Sequence, residues 1–295
     1  MRKQFVRTME DLMAKDPRLV LLLGDIGVFG FRNAFRLHSD RTYNIGICEQ
    51  AMTGLAAGLA KEQLLPVIHS IAPFVVERCF EQLKVDLCYQ RLPAKIVSVG
   101  ASYDYASLGC THHCPGDVAI LRNLPGMEIV VPGTPAEFDR LFRSRYASES
   151  PGYFRLSEGR HTETTSVEFG RAEVLRRGHQ GTIVAVGPML SSVLEASREM
   201  DVSVLYYTTL APFDAATLRE NSASGAIAVV GPFYEDTLTP DIMAAVNGRA
   251  TRLLSIGIPR RFLTNYGKAA THDKDCALTA PQLNARLQAF FDGKI

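Results

Sequence analysis

The sequence contains few cysteines and has almost no net charge, and both features limit the classes of function that it can have. Six of its 295 residues are cysteines, and the formal net charge at pH 7 is +1. Few cysteines in a long chain, mostly in apolar or helical contexts, favour reduced core thiols over a disulfide framework. A nearly neutral chain gives no electrostatic reason to expect nucleic acid or an anionic membrane surface as the main partner. Small molecules and other proteins remain.

Long hydrophobic runs are absent as well. The longest, from Leu19 to Leu23, is far shorter than the roughly 20 residues that a membrane-spanning helix needs. Met1 to Lys15 has the pattern of an amphipathic helix and not of a signal peptide. With 46% hydrophobic and 21% charged residues, the composition is typical of a folded soluble protein, and we expect it in the cytoplasm.

Short apolar runs alternate with helical patterns along the first half of the chain. This order predicts βαβ units, and hence a mainly parallel sheet with helices on both faces. The predicted strands are Leu19 to Leu23, Pro66 to Ser70, Ala94 to Val99 and Glu128 to Val131, and the predicted helices are Gln50 to Lys61, Val75 to Tyr89 and Pro135 to Tyr146.

A second alternating series follows the polar stretch from Glu158 to Glu168. We therefore expect two α/β domains, residues 1–160 and residues 170–295. The strands of the second series are Thr182 to Val186, Val202 to Tyr206, Ala226 to Val230 and Arg252 to Ile256, and its helices are Ser191 to Met200, Asp214 to Glu220 and Thr239 to Val246.

One acidic residue, Glu49, stands where a strand-like stretch enters a helix rich in small residues. Gly54 and Gly58 would let another helix approach this helix closely, as at a subunit interface. Taken by itself, Glu49 has an ordinary explanation, because the helix dipole favours an acid in the first turn. The physics of these residues alone favours that explanation over a catalytic one.

The segment around Glu49 resembles the one that carries the invariant glutamate of transketolases, 1-deoxyxylulose-5-phosphate synthases and the β subunits of 2-oxoacid dehydrogenases. It reads Tyr43-Asn-Ile-Gly-Ile-Cys-Glu-Gln-Ala-Met52. The resemblance implies a thiamine-pyrimidine-binding α/β domain in residues 1–160 and a transketolase C-terminal-like α/β domain in residues 170–295. It continues, in order, through His69 to Phe74, Arg78 to Leu83, Thr111 to His113, Leu121 to Met127, Val131 to Glu137, Gly257 to Phe262 and Tyr266-Gly267.

The resemblance implies that the chain contacts thiamine diphosphate, with Glu49 hydrogen bonded to N1′ of the aminopyrimidine. A buried carboxyl group there shifts the aminopyrimidine toward its imino tautomer, whose nitrogen removes the weakly acidic thiazolium proton. Phe74, at the family's second aromatic position, would stack on the pyrimidine, and the first aromatic position is Ile71 here. Asp25 matches a family acid near the subunit interface, although a turn former at a strand end explains it equally well.

Four residues are candidates for substrate binding by the same resemblance. His112 falls on the family's Thr-His position and would exchange protons with the reacting oxygens near neutral pH. His113 replaces a common glutamine beside it, and His69 is a candidate to line the site from a strand end. Arg155 keeps one of two basic positions in the segment Tyr153 to Glu158.

The run Cys110-Thr-His-His-Cys114 also suggests a zinc site, because thiolates and imidazoles are good zinc ligands. Four ligands so close together on one loop would not easily point at one tetrahedral centre, and no second pair is evident. We therefore expect no metal ligands in this chain. The remaining histidines lie in polar contexts and are expected at the surface: His38, His161, His179 and His272.

The sequence also lacks the motif with which transketolases hold their metal. In a full-length transketolase a further N-terminal domain carries Gly-Asp-Gly and a downstream Asn, which supply oxygen ligands to the Mg²⁺ that holds the diphosphate. Here Gly24-Asp25 is followed by Ile26, and Gly116-Asp117 by Val118. The resemblance therefore implies a split enzyme, in which a partner N-terminal transketolase subunit with this motif completes an α₂β₂ heterotetramer with the active site between chains.

The activity implied is transfer of a ketol or related two-carbon unit between small carbonyl substrates. Two alternatives stay open: the β subunit of a 2-oxoacid dehydrogenase or decarboxylase, and a non-catalytic assembly subunit. Three departures from the family pattern concern the substrate: Leu108, Gly100 and Glu158. They replace a hydroxyl-binding carboxylate and two contacts to phosphate, and so predict a substrate that is unphosphorylated or otherwise modified.

Overall fold

The computed structural model describes residues 1–295, which form two sheets flanked by helices. The seven-stranded sheet contains Leu19–Leu23 (β1), Thr42–Asn44 (β2), Leu65–Ile71 (β3), Lys95–Val99 (β4), Glu128–Val130 (β5), Gly152–Arg155 (β6) and Thr209–Ala211 (β10). The five-stranded sheet contains Glu173–Arg176 (β7), Gly181–Val186 (β8), Val202–Tyr207 (β9), Ala226–Tyr234 (β11) and Arg252–Ile258 (β12). The predicted α/β class with two mainly parallel sheets is confirmed.

Eleven α-helices surround the sheets. They are Arg2–Lys15 (α1), Arg32–Leu37 (α2), Glu49–Lys61 (α3), Phe80–Gln82 (α4), Asp117–Leu121 (α5), Pro135–Arg145 (α6), Leu190–Ala196 (α7), Ala215–Glu220 (α8), Thr239–Ala245 (α9), Ala269–Asp275 (α10) and Ala280–Phe291 (α11). Two π-helical segments, Pro73–Glu77 and Leu83–Tyr89, flank α4. The helix predicted over Val75 to Tyr89 therefore exists with wider turns than an α-helix has. No helix combines the length and the apolar character that crossing a membrane would require.

The strand order of the larger sheet places several strand ends at one edge. The order is β10-β5-β6-β4-β3-β1-β2, and every pair is parallel except β10 with β5. The carboxyl ends of β1, β3 and β4 therefore lie side by side, at the edge where open α/β sheets bind ligands. All five residues of β1 are buried, as expected for a central parallel strand covered on both faces.

The apolar core lies on both faces of the sheets. Along β1, Leu19, Leu21 and Leu23 belong to one buried cluster, whereas Val20 and Leu22 belong to another. This division follows from the alternation of side chains across a strand. Each cluster includes residues of both sheets, so the two halves of the chain share their core.

One strand crosses between the halves. β10 lies within the second alternating series, between β9 and β11, but it pairs antiparallel with β5 of the larger sheet through Thr209↔Val130 and Ala211↔Ile129. It is only three residues long, and its partner lies far away in the sequence. The sequence did not predict it, because a short run carries no period from which a strand can be recognised.

A buried ion pair also joins the halves. The Arg155 and Asp117 side chains are both 0% exposed, and Arg155 Nε donates to Asp117 Oδ2 over 2.7 Å. Arg155 Nη2 donates to Ser102 Oγ (2.9 Å) and to the carbonyl oxygen of Pro232 in β11 (3.1 Å). Burial lowers the pKa of Arg155, but Asp117 together with the other neighbouring groups outweighs burial, and the pKa of Arg155 is raised.

A second polar link surrounds the start of α6. Thr134 and Glu137 form a capping box, and Glu137 Oε2 also accepts a hydrogen bond from the Tyr206 hydroxyl of β9 (2.8 Å). His161 Nε2 donates to Glu137 Oε1 over 3.0 Å. Burial raises the pKa of Glu137, but His161, Thr165 and Tyr206 together outweigh burial, and the pKa is lowered.

Two histidines expected at the surface are therefore in the interior. His161 is 3% exposed and His272 is 0% exposed. The expectation was wrong because polar neighbours in the sequence do not reveal which distant residues a histidine ring will contact in the folded chain. His161 is held by Glu137 and Tyr206, and His272 packs edge to face on His113 with 5.3 Å between ring centroids.

The Arg155 and Asp117 pair should dominate the stability of the contact between halves. We expect Arg155→Met to lower the free energy of unfolding by about 3–5 kcal/mol, because it leaves Asp117 as a buried charge without its cation. Lys15→Met is the matched control, since the pair of Lys15 with Asp11 is 67% and 40% exposed and is worth about 0–1 kcal/mol. Urea titration of both variants measures the difference, and equal losses would contradict the assignment.

Candidate active site

The candidate site lies at the carboxyl edge of the larger sheet. Glu49 is the first residue of α3, a position where the helix dipole favours a negative charge. Gly24 directly follows β1, and Ser70 and Ile71 end β3. These three strand and helix ends bring the candidate residues to one place.

The Glu49 carboxylate is completely buried and has a partner on each oxygen. Its residue exposure is 0%. Ser70 Oγ donates to Oε1 over 2.8 Å, and Arg78 Nη1 donates to Oε2 over 2.9 Å. A Cβ atom on Gly24 would lie 3.0 Å from Ser70 Oγ and 3.4 Å from Glu49 Oε1. Glycine at that position therefore keeps the space around the carboxylate open.

Phe74 and His112 lie next to this carboxylate. Cζ of Arg78 is 4.1 Å from the centroid of the Phe74 ring, so the guanidinium links Phe74 to Glu49. The His112 ring packs edge to face on Phe74 at 5.2 Å between centroids. Both rings are partly exposed. Hence the structure brings together the three residues that the sequence analysis placed nearest the chemistry.

The wall of the site continues through Ile71 and Tyr105. A Cβ on Gly100 would meet Tyr105 Cε2 at 2.5 Å and Ile71 Cγ2 at 3.1 Å, and Gly100 has φ +73°. Only glycine fits this backbone position without strain. The ring of Tyr105 lies 6.4 Å from that of His112, so Ile71, Tyr105 and His112 form one continuous surface.

Asp25 and His69 lie in contrasting surroundings. Asp25 is exposed at the end of β1, where Asn44 Nδ2 donates to its Oδ1 over 3.0 Å. His69 is 0% exposed, and burial lowers its pKa to about 4. Its Nδ1 is 2.7 Å from the carbonyl oxygen of Val97, and its ring packs on Phe5 at 4.9 Å. In this chain His69 contacts the core rather than the open surface of the site.

His113 and Arg155 are also directed inward. His113 is 7% exposed, and its pKa is lowered by burial first, and then by His272 and His112. Arg155 is 0% exposed, and its guanidinium is directed into the interior, where it pairs with Asp117. Neither side chain is grouped with the open surface formed by His112 and Phe74.

Sequence reasoning missed two residues of the site. Ser70 and Arg78 are the direct partners of Glu49, yet they entered only as parts of the family segments. A signal was present for Arg78, because it follows Phe74 by four residues, the spacing that places two side chains on one helical face. For Ser70 we find no such signal.

A basic cleft, also missed, adjoins the site. The cleft has a volume of about 450 Å³ and reaches Gly100 and Tyr105. Its cations are Arg2, Lys3, Arg7 and Arg160, all exposed. None of the four makes an ion pair, and Glu158 is the one acidic residue of the lining. Three of the cations come from α1, which the sequence gave no reason to place here.

The Cys110 to Cys114 run does not form a metal site in the structure. No group of three or more His, Cys, Asp or Glu side chains is arranged to hold a metal ion. Cys114 Sγ instead lies 3.5 Å from Glu77 Oε1, and His112 Nδ1 is 2.9 Å from Thr111 Oγ1. The loop directs its side chains to different neighbours.

Comparison with known proteins supports the resemblance. Residues 1–162 match the family model "Transketolase, pyrimidine binding domain". An uncharacterized 33.6 kDa protein of the fasciation locus of Rhodococcoides fascians is 34% identical over 97% of this chain and 93% of its own. The 6-deoxy-6-sulfo-D-fructose transketolase subunit SqwH of Clostridium sp. (strain MSTE9) is 31% identical over 77% of this chain and 74% of its own.

The fold leads to the same family. A solved chain titled "Split gene transketolase, inactive beta4 tetramer" superposes with a TM-score of 0.86 at 26% identity, covering 100% of this chain and 98% of that one. The match is therefore to a whole split-gene chain and not to part of a longer one. Since the family model covers more than half of the sequence and the fold agrees throughout, the chain belongs to the transketolase family and has the extent of a split-gene transketolase subunit.

Proposed function

We propose that the chain is the C-terminal subunit of a two-component, thiamine diphosphate-dependent transketolase that transfers a ketol or related two-carbon unit between carbonyl substrates. The observation that carries this proposal is the buried carboxylate of Glu49, which lies beside the partly exposed rings of Phe74 and His112. A buried charge is costly, so it is retained where it has partners or a function. The fit to an aminopyrimidine is chemical: Glu49 offers a carboxylate to a ring nitrogen, and Phe74 offers an aromatic face to a flat ring.

Each side chain has a distinct part in the proposed reaction. When bound, the cofactor supplies a carbanion-like carbon that attacks the substrate carbonyl. Glu49 hydrogen bonds to N1′ of the pyrimidine and holds the proton there, which favours the imino tautomer. Phe74 stacks on the pyrimidine ring and excludes water from one face. His112 exchanges protons with the oxygen atoms of the substrate.

The proposed assembly follows from what the site lacks. A diphosphate held by Mg²⁺ would need several oxygen ligands in a defined geometry, and the Gly-Asp-Gly motif that supplies them in transketolases does not occur in this sequence. We therefore assign the Mg²⁺ and diphosphate site to a partner N-terminal subunit with a Gly-Asp-Gly and Asn motif, in an α₂β₂ heterotetramer in the cytoplasm. The relative described as an inactive β4 tetramer supports a need for a partner.

The two alternative functions are less well supported. One relative is named a transketolase subunit and a solved chain of matching extent is titled a split gene transketolase, which disfavours the β subunit of a 2-oxoacid dehydrogenase. A non-catalytic assembly subunit would have no use for a paired, buried Glu49 together with Phe74 and His112. The transferase therefore remains the proposal.

The basic cleft refines the expected substrate. The loss of phosphate contacts at Gly100 and Glu158 argued for an unphosphorylated or otherwise modified sugar, but four unpaired cations in the cleft favour an acidic group at the end of the substrate away from the carbonyl. Glu158 among them lowers the preference for a doubly charged group. A singly charged group such as a sulfonate fits this balance, and a relative acts on a 6-deoxy-6-sulfo sugar by its name.

The first test concerns the carboxylate. Glu49→Gln should leave assembly intact and lower kcat by about 10²-fold or more, because an amide is nearly isosteric but cannot exchange a proton with N1′. Glu62→Gln, at the exposed end of the same helix, is the control and should keep full activity. Turnover is measured on the complex with its partner, and near-normal turnover of Glu49→Gln would refute the proposed site.

The second test concerns assembly. Titration calorimetry should detect no thiamine diphosphate binding by the isolated chain, with or without Mg²⁺, because the diphosphate has no ligands here. Binding should appear when the partner subunit and Mg²⁺ are added together. Tight binding by the isolated chain would contradict the division of the site between two subunits.

The third test concerns the basic cleft. We expect Arg7→Ala and Arg160→Ala each to raise KM for an acidic ketose by about 3–10-fold, since a charge-assisted contact is worth up to about 1.5–3 kcal/mol and exposure reduces this. KM for the corresponding neutral ketose should not change. Arg36→Ala, on the exposed side of α2, is the control. Comparing a phosphate, a sulfonate and a neutral ketose identifies the charge preferred, and a preference for the neutral sugar would disprove the acidic substrate.

A further inference from the structure

Arg78 makes, at the same time, the two contacts that the pyrimidine ring would need. Its Nη1 donates to Glu49 Oε2 over 2.9 Å, and its Cζ lies 4.1 Å from the centroid of the Phe74 ring. Among the residues of this chain, it alone contacts both the buried carboxylate and the aromatic ring in this way. The guanidinium therefore lies where a ring bonded to Glu49 and stacked on Phe74 would lie.

The chemistry of the two groups is similar. A guanidinium is a planar N–C–N group that donates hydrogen bonds in its plane and stacks on aromatic faces. The edge of an aminopyrimidine also presents an N–C–N arrangement in the plane of a flat, stacking group. Two planar groups cannot both occupy the same Phe74 face and the same carboxylate oxygen.

We propose that Arg78 is an internal placeholder for the aminopyrimidine: it pairs the buried Glu49 and covers Phe74, and it must leave both before the cofactor ring binds. This inference rests on the proposed function, because it requires the ring to use Glu49 and Phe74. It goes further by naming the contact that the cofactor ring must displace and the residue that controls its entry.

The placement of Arg78 suits this role. The Glu49 side chain is 1% exposed, and a buried carboxylate without a cation would be strongly destabilising. The Arg78 side chain is 37% exposed, so its head can move into solvent while its long stem stays attached. Arg78 lies in the short turn between the π-helical segment Pro73–Glu77 and α4. Ser70 keeps its bond to Oε1, so departure of Arg78 frees only Oε2.

The experiment compares cofactor affinity in the assembled complex with Mg²⁺. Arg78→Met keeps the apolar stem but removes the competing guanidinium, and we expect it to tighten thiamine diphosphate binding by roughly tenfold and to speed association. Arg78→Lys keeps the charge but not the planar group, and should fall between. Arg252→Met is the matched control, because Cζ of Arg252 in β12 lies 4.8 Å from the centroid of the Phe290 ring in α11. It should change neither quantity.

A second readout uses no cofactor. Modification of Glu49 by a water-soluble carbodiimide, located by peptide mass spectrometry, should be several-fold faster in the isolated Arg78→Met chain than in the wild type or in Arg252→Met. Unchanged labelling, or weaker cofactor binding by Arg78→Met, would overturn the placeholder. If the wild-type complex failed to bind thiamine diphosphate but Arg78→Met labelled faster, the proposed function would fail while Arg78 still covered Glu49.

Discussion

The burial of one negative charge, on Glu49, constrains the whole site. A carboxylate with no exposed surface is tolerated only when hydrogen-bond donors and a cation surround it. Here the donors come from separate parts of the chain: Ser70 from the end of β3 and Arg78 from the turn before α4. Because β1 and β3 are adjacent parallel strands, Gly24 arrives beside the same carboxylate. The parallel sheet thus sets the positions around the carboxylate, and the buried charge determines which side chains can occupy them.

Other buried polar groups serve the contact between the two halves. Arg155 reaches from β6 to Asp117 and to the carbonyl oxygen of Pro232, and Glu137 joins the start of α6 to Tyr206. β10 adds a main-chain link by pairing with β5. Apolar burial is not directional, whereas these bonds require defined partners. They fix the position of one sheet relative to the other. The loop that carries His112 is held in turn by the packing of His113 on His272.

The exposed surroundings of the site are consistent with a shared active site. Phe29 and Ile47, near the loops that lead to Glu49, are 82% and 68% exposed, and large apolar groups in water mark contact surfaces when they cluster. A Cβ on Gly58 would meet nothing within 4 Å, so this face of α3 is open to close approach. Within the proposed function, a second chain would contact these exposed groups when it completes the site.

The sequence alone determined features that depend on local order. The apolar run of β1 and the Thr134 to Glu137 start of α6 could be predicted because strand and helix signals lie within a few residues. The family motifs identified Glu49, Phe74 and His112, and the structure brings these three together. Only the tertiary structure revealed the pairing of β10, the burial of His161 and the cations of α1 beside Tyr105. Such contacts join residues far apart in the chain. The periodicity of hydrophobic residues within a segment does not show which distant group will neutralise a charge or cover a ring.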